Sequence, residues 1–101
     1  MIDVEISVTP VGTCSTSISD FVAASEKALE DYPDLHRKIT GMATEFEGND
    51  IDEIFKALKE MHMAQINSGA KRVISSIRID DRRDKECTLS SKIASVQSKI
   101  K

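Results

Sequence analysis

Ile2-Asp3-Val4-Glu5-Ile6-Ser7-Val8-Thr9 alternates apolar and polar side chains without a break. A period of two means a strand with one buried face. Pro10 and Gly12 close it, because proline lacks the ladder donor and glycine permits a turn. Working outward, the next apolar repeat has helical spacing: Ile18, Phe21, Val22, Ser25, Ala28, Leu29 and Tyr32. This predicts a helix over 18–32, with Ser17 as its N-cap, Asp20 as a weak capping-box partner and Pro33 as its stop. Residues 35–40 and 43–47 read as two strands hinged at Gly41. Gly48-Asn49-Asp50 is turn chemistry. Asp50 and Glu53 form another capping pattern, and Ile51, Ile54, Phe55, Leu58, Met61, His62 and Gln65 follow on one helical stripe. Gly69 suits the position just past that helix. Residues 72–79 are β-branched and alternating, which predicts a strand. Asp80 to Glu86 reads as a charged loop. Thr88 then caps a last helix with apolar positions Leu89, Ile93, Val96 and Ile100.

The order is β-α-β-β-α-β followed by a helix. This is an α+β, ferredoxin-like sandwich with an additional C-terminal helix, in a single domain spanning 1–101. Two helices cover one face of a four-stranded antiparallel sheet. The other face is expected to carry Glu5, Ser7 and Thr9 beside Ile74, Ser76 and Arg78, a mixed surface suited to a partner subunit or a ligand. The last helix has a narrow apolar stripe that seeks another helix. A chain of 101 residues buries only roughly 60–70% of its unfolded surface, which association would improve. Both features predict a homo-oligomer.

Composition narrows the function. Hydrophobic residues make up 40% and charged residues 31%, with a net charge of −3. No basic footprint for nucleic acid is visible, and with no Trp, one Tyr and three Phe a base-stacking platform is poorly supplied. Asp3 and Glu5 argue against a signal peptide, and no apolar run approaches the ~20 residues of a membrane span. Two cysteines, Cys14 and Cys87, are too few for a disulfide scaffold, so a cytoplasmic location with free thiols is expected.

The loop Thr13-Cys14-Ser15-Thr16-Ser17 sits between a strand and a helix. Its hydroxyls and free N–H groups suit polar ligand atoms, although they serve equally as caps. It lacks the GxxxxGK[ST] pattern of a nucleotide loop. Cys14 lies by a helix start, but nothing places His36 or His62 beside it as a base, so no catalytic residue is assigned. Neither histidine has a second ligand at metal spacing, so no metal is expected. His62, on the apolar stripe, reads as a satisfied, partly buried histidine.

The run from Glu5 through Thr13, followed by Ser15-Thr16-Ser17-Ile18-Ser19 and Phe21-Val22-Ala23, resembles the opening of the small thiamine-binding protein family. Gly41-Met42-Ala43-Thr44 with Glu47-Gly48, the stretch from Arg72 to Lys85 and the closing helix extend the resemblance over the whole chain. Cys14 stands where that family has Gly or Asp, and Gly41 and Ala43 depart from its usual residues around Met42. The resemblance implies binding of thiamine or hydroxymethylpyrimidine, its pyrimidine moiety, by homotetramers of sheet-paired dimers, without an established reaction and with no cofactor. An aminopyrimidine needs donors and an acceptor at fixed edges and apolar contact on its faces. Thr9, Thr13, Ser15, Ser17, Met42, Thr44 and Glu47 are the expected ligand-binding residues. Two other readings remain open. A small enzyme would need an acid and a base in one pocket, and no such pair is evident. A regulatory or structural oligomer would bind no ligand.

Overall fold

The computed structural model describes residues 1–100. The elements are β1 (Ile2–Pro10), α1 (Ser19–Ala28), β2 (His36–Ile39), β3 (Thr44–Gly48), α2 (Ile51–Asn67), β4 (Val73–Asp81) and α3 (Leu89–Gln97). The four strands form one antiparallel sheet in the order β2-β3-β1-β4. This is the ferredoxin-like α+β arrangement expected from the element order.

The alternation in β1 does what a period of two requires. Ile2, Val4, Ile6 and Val8 turn toward α1 and α2, and all four are buried. Thr44 and Phe46 of β3 lie on the same side, where Phe46 meets Ile54, Ala57, Leu58 and Met61 of α2 in the core cluster. Phe46 is fully buried, so truncation to alanine would cost about 3–5 kcal/mol. Gly48 belongs to this core as well as to the turn: a Cβ there would stand 2.4 Å from a methyl of Leu35.

On the open face, Glu5 lies opposite Arg78, Ser7 opposite Ser76 and Thr9 opposite Ile74. α3 is held to this face by charge. Lys92 Nζ reaches Asp3 and Asp80, each at 2.6 Å, and the Leu89 N–H donates to Glu47 at 2.9 Å. Thr88 and Ser91 form a reciprocal capping box at its start.

Several boundaries differ from the sequence reading. The first helix ends at Ala28 and tightens into a 3₁₀ turn over Leu29–Asp31 before Pro33. Its N-cap is Ile18, not Ser17, and no side chain caps it. β2 is shorter than 35–40 and wholly exposed, because it forms the sheet edge beyond the helices. β4 runs on through Asp80 and Asp81, which pair with Asp3 and Ile2 of β1. The charged segment after it is tied locally, Arg82 to Asp84 and Arg83 to Asp81. Each guanidinium holds its partner's carboxyl below the usual carboxylate range by hydrogen bonding.

Candidate binding cavity

The lengths of the strands create a cavity. β3 pairs with β1 only from Ile2 to Ile6, whereas β1 continues to Pro10. The β2–β3 hairpin turns back at Thr40–Ala43, where the Thr40 hydroxyl donates to the Ala43 carbonyl at 2.7 Å. Past Ile6, that edge of β1 has no neighbouring strand. Gln65 of α2 reaches it instead, and Nε2 donates to the Val8 carbonyl at 2.9 Å. The space between this edge, the start of α1, the hairpin tip and α2 is a cavity of about 460 Å³, a size typical of small-molecule sites.

Its walls are aliphatic: Ile6, Val8, Ile18, Val22, Ile39 and Met61. Its inner end is polar and buried. Glu26, 9% exposed, accepts a hydrogen bond from the Thr44 hydroxyl. Arg37 of β2 donates to the Glu26 carboxylate at 3.2 Å and to its backbone carbonyl at 2.7 Å. Ser25 donates to the Met61 carbonyl at 2.7 Å and accepts from Gln65 Nε2 at 3.1 Å. Gln65 is fully buried, yet its Oε1 has no partner among the described residues. Buried polar groups are normally satisfied, so an orphan acceptor lining a cavity marks a place for a donor.

Of the residues predicted for ligand binding, Thr9, Ser17, Met42 and Thr44 line this cavity. Met42 stands at the hairpin tip, 91% exposed. Thr13 and Ser15 lie outside the lining. The Thr13 hydroxyl donates to the Ser15 carbonyl, and the Ser15 hydroxyl accepts from the Ser17 N–H. They shape the turn that delivers Ser17. Glu47 is also not among the lining residues. Side chains alternate along β3, so with Thr44 and Phe46 facing the helices Glu47 faces the other side, where it receives the Leu89 N–H of α3. The sequence reading did not single out Glu26, Ser25 or Gln65 as site residues. For Ser25 and Gln65 the signal was present, since each is a polar residue on an otherwise apolar helical stripe.

Outside the cavity, His62 is half-buried with Nδ1 2.6 Å from Ser75 Oγ, as a satisfied histidine should be. Both cysteines are free. Cys14 follows the end of β1, and Cys87 lies beside Glu86, which pairs with the amino group of Met1 at the strand's start. The strand between them spans roughly 30 Å at ~3.3 Å per residue, far beyond disulfide reach. No helix among the described residues is long and apolar enough to cross a membrane.

A sequence profile for the family described as thiamine-binding protein matches residues 4–97. The chain belongs to the thiamine-binding protein family. A relative named UPF0045 protein from Methanothermobacter thermautotrophicus is 44% identical over 100 residues, covering 99% of this chain and 100% of that one. The UPF0045 protein YqgV of Bacillus subtilis is 38% identical over 99 residues, covering 95% and 94%. Among solved structures, a hypothetical protein from Methanocaldococcus jannaschii superposes with a TM-score of 0.86 at 38% identity, over 95% of each chain. A Thermotoga maritima protein, provisionally described as a thiamine biosynthesis/salvage protein, shares the fold with a TM-score of 0.76 at 19% identity, over 94% and 97% of the chains.

Proposed function

We propose that the protein binds thiamine or its hydroxymethylpyrimidine moiety, without catalysis, in the cavity between α1, β1 and the β2–β3 hairpin. The observation that carries this reading is the buried polar end formed by Glu26, Thr44 and Gln65 beneath aliphatic walls. An aminopyrimidine edge needs such hydrogen-bonding groups, and its faces need such walls. Membership of a family described as thiamine-binding supports the choice of ligand. A binding role rather than a reaction is supported by the cavity's inventory. Glu26 is the only ionisable side chain lining it, whereas general acid–base chemistry usually works with a positioned pair. The protein acts as a cytoplasmic homo-oligomer, most simply the tetramer that the family resemblance implies.

Thermal-shift titration with thiamine and hydroxymethylpyrimidine tests this, because a ligand that binds only the folded state raises the melting temperature. Calorimetry on Thr44→Val should then show affinity weakened about tenfold to a hundredfold, the loss of one buried hydrogen-bonding group. Absence of any shift with either compound at millimolar concentration overturns the proposal.

A further inference from the structure

The polar end of the cavity accepts hydrogen bonds and does not donate them. The orientation of the Gln65 amide is set by its neighbours. Ser25 spends its hydroxyl proton on the Met61 carbonyl, so toward Gln65 it can only accept. The Val8 carbonyl can only accept as well. Both contacts therefore require the amide nitrogen, and Oε1 is left as the group offered to the cavity. Thr44 likewise spends its proton on Glu26. A ligand entering this end meets the Gln65 Oε1, the lone pairs of Thr44 Oγ1 and the carboxylate of Glu26.

The charge inventory points the same way. No Lys, Arg or His lines the cavity, and Glu26 is its one charged group. The uncapped start of α1 does offer N–H groups at the rim, but Asp20 in that first turn already supplies a negative charge there. Arg37 approaches Glu26 from β2 and is not among the lining residues. A phosphate brought into the cavity would face a buried carboxylate with no lining cation to receive it.

We infer that the cavity selects an unphosphorylated, donor-bearing heterocycle, neutral or cationic, and discriminates against its phosphate esters. The inference rests on the proposed function and narrows it: the free vitamin or free hydroxymethylpyrimidine is bound, and the phosphorylated coenzyme is refused. Glu26 is the residue that sets this preference, with Gln65 receiving the ligand's amino group.

Calorimetric titration of the full chain with thiamine, thiamine monophosphate and thiamine diphosphate at one fixed ionic strength tests it. Thiamine should bind at least about tenfold more tightly than either phosphate ester, a gap of ~1.4 kcal/mol. In Glu26→Gln the gap should shrink, with thiamine weakened and the esters weakened less or strengthened, because the repelling charge is gone and Arg37 is released from its partner. A merely structural Glu26 would lower all three affinities by the same factor, and that result overturns its role. Diphosphate binding equal to or tighter than thiamine in the unmodified protein overturns the inference while leaving the proposed function standing. If neither thiamine nor hydroxymethylpyrimidine binds, the proposed function falls and the inference falls with it. The comparison within the unmodified protein decides the matter even if Glu26→Gln does not fold.

Discussion

Cys14 has φ of +61°, in the left-handed region. A residue with a Cβ is strained there, glycine is not, and aspartate tolerates it better than most. That accounts for the Gly or Asp of related chains at this position. Cys14→Val should therefore cost about 1–2 kcal/mol, since β-branching is worst in this region, whereas Cys14→Gly should be neutral or mildly stabilising. Denaturant midpoints check this, and equal stability of the two variants would refute it. Tyr32, the single tyrosine, gives a second residue-scale test. Burial first, and then the Glu60 carboxylate beside it, push its hydroxyl up to about 12. The folded state thus holds the phenolic proton more tightly than the unfolded chain, whose tyrosine titrates near ~10. Its contribution to stability is complete below that pH and is lost as pH rises toward the folded value. Absorbance titration should give a phenolate midpoint near 12 in the native protein and near ~10 in denaturant. Coincident midpoints would contradict the burial. At this same scale the site was only partly legible in the sequence. Thr44 and Met42 follow from the hairpin, but Glu47 looked equivalent to Thr44 until strand parity placed it across the sheet. Glu26 lay hidden because a helical carboxylate normally faces water.

Among the elements, β1, α2 and β4 were readable because their periodicity is long and uninterrupted. The start of α1 was not, because Ser17 has the chemistry of a cap yet lies one residue too early. β2 was legible only as alternation, since an exposed edge strand leaves no buried face to mark its ends. α3 was predicted from its cap and stripe, but what fastens it is charge. Asp3 is 4% exposed and gives one carboxylate oxygen to Lys92, while the other has no partner among the described residues. Burial alone would lower the Lys92 ammonium, but hydrogen bonds to Asp3 and Asp80 outweigh it and leave the group raised. Lys92→Met should strand the Asp3 charge and cost about 1–3 kcal/mol, below the range for a fully buried pair because the lysine is partly exposed. Combining it with Asp3→Asn should cost less than the two single changes together. Denaturation curves of the three variants measure this. A single-variant loss under about 0.5 kcal/mol would mean that the pair is only a surface contact.

For the whole molecule, the Cα radius of gyration is 14.9 Å and the extents are 44 × 34 × 18 Å, whereas a compact chain of this length would have a radius near 13 Å. The excess matches a flat sheet with α3 standing off it: no residue of α3 is buried. Ile93, Val96 and Ile100 are 43%, 59% and 69% exposed, and Ile74 on the open sheet face is 53% exposed. Scattered apolar residues on a surface mean little, but a stripe along a helix whose capping and charge contacts are in place calls for a cover. Both sheet edges, β2 and β4, also end without a neighbouring strand. Unprotected edges are commonly paired or shielded. The expectation of a homo-oligomer thus gains a specific surface that composition and length alone had not located. Light scattering at micromolar concentration should give a multiple of the 11.2 kDa chain mass. Val96→Glu should shift the population toward smaller species, because a charge placed in an apolar interface must be desolvated without a partner. Circular dichroism should retain the helix and strand signal, since Val96 contributes nothing to the buried core. The melting temperature should fall and become more dependent on protein concentration as association weakens. A monomeric mass for the unmodified chain would sink the prediction. An unchanged assembly in Val96→Glu would move the interface from α3 to the sheet edges, where Lys38→Pro on β2 would be the next substitution to break it.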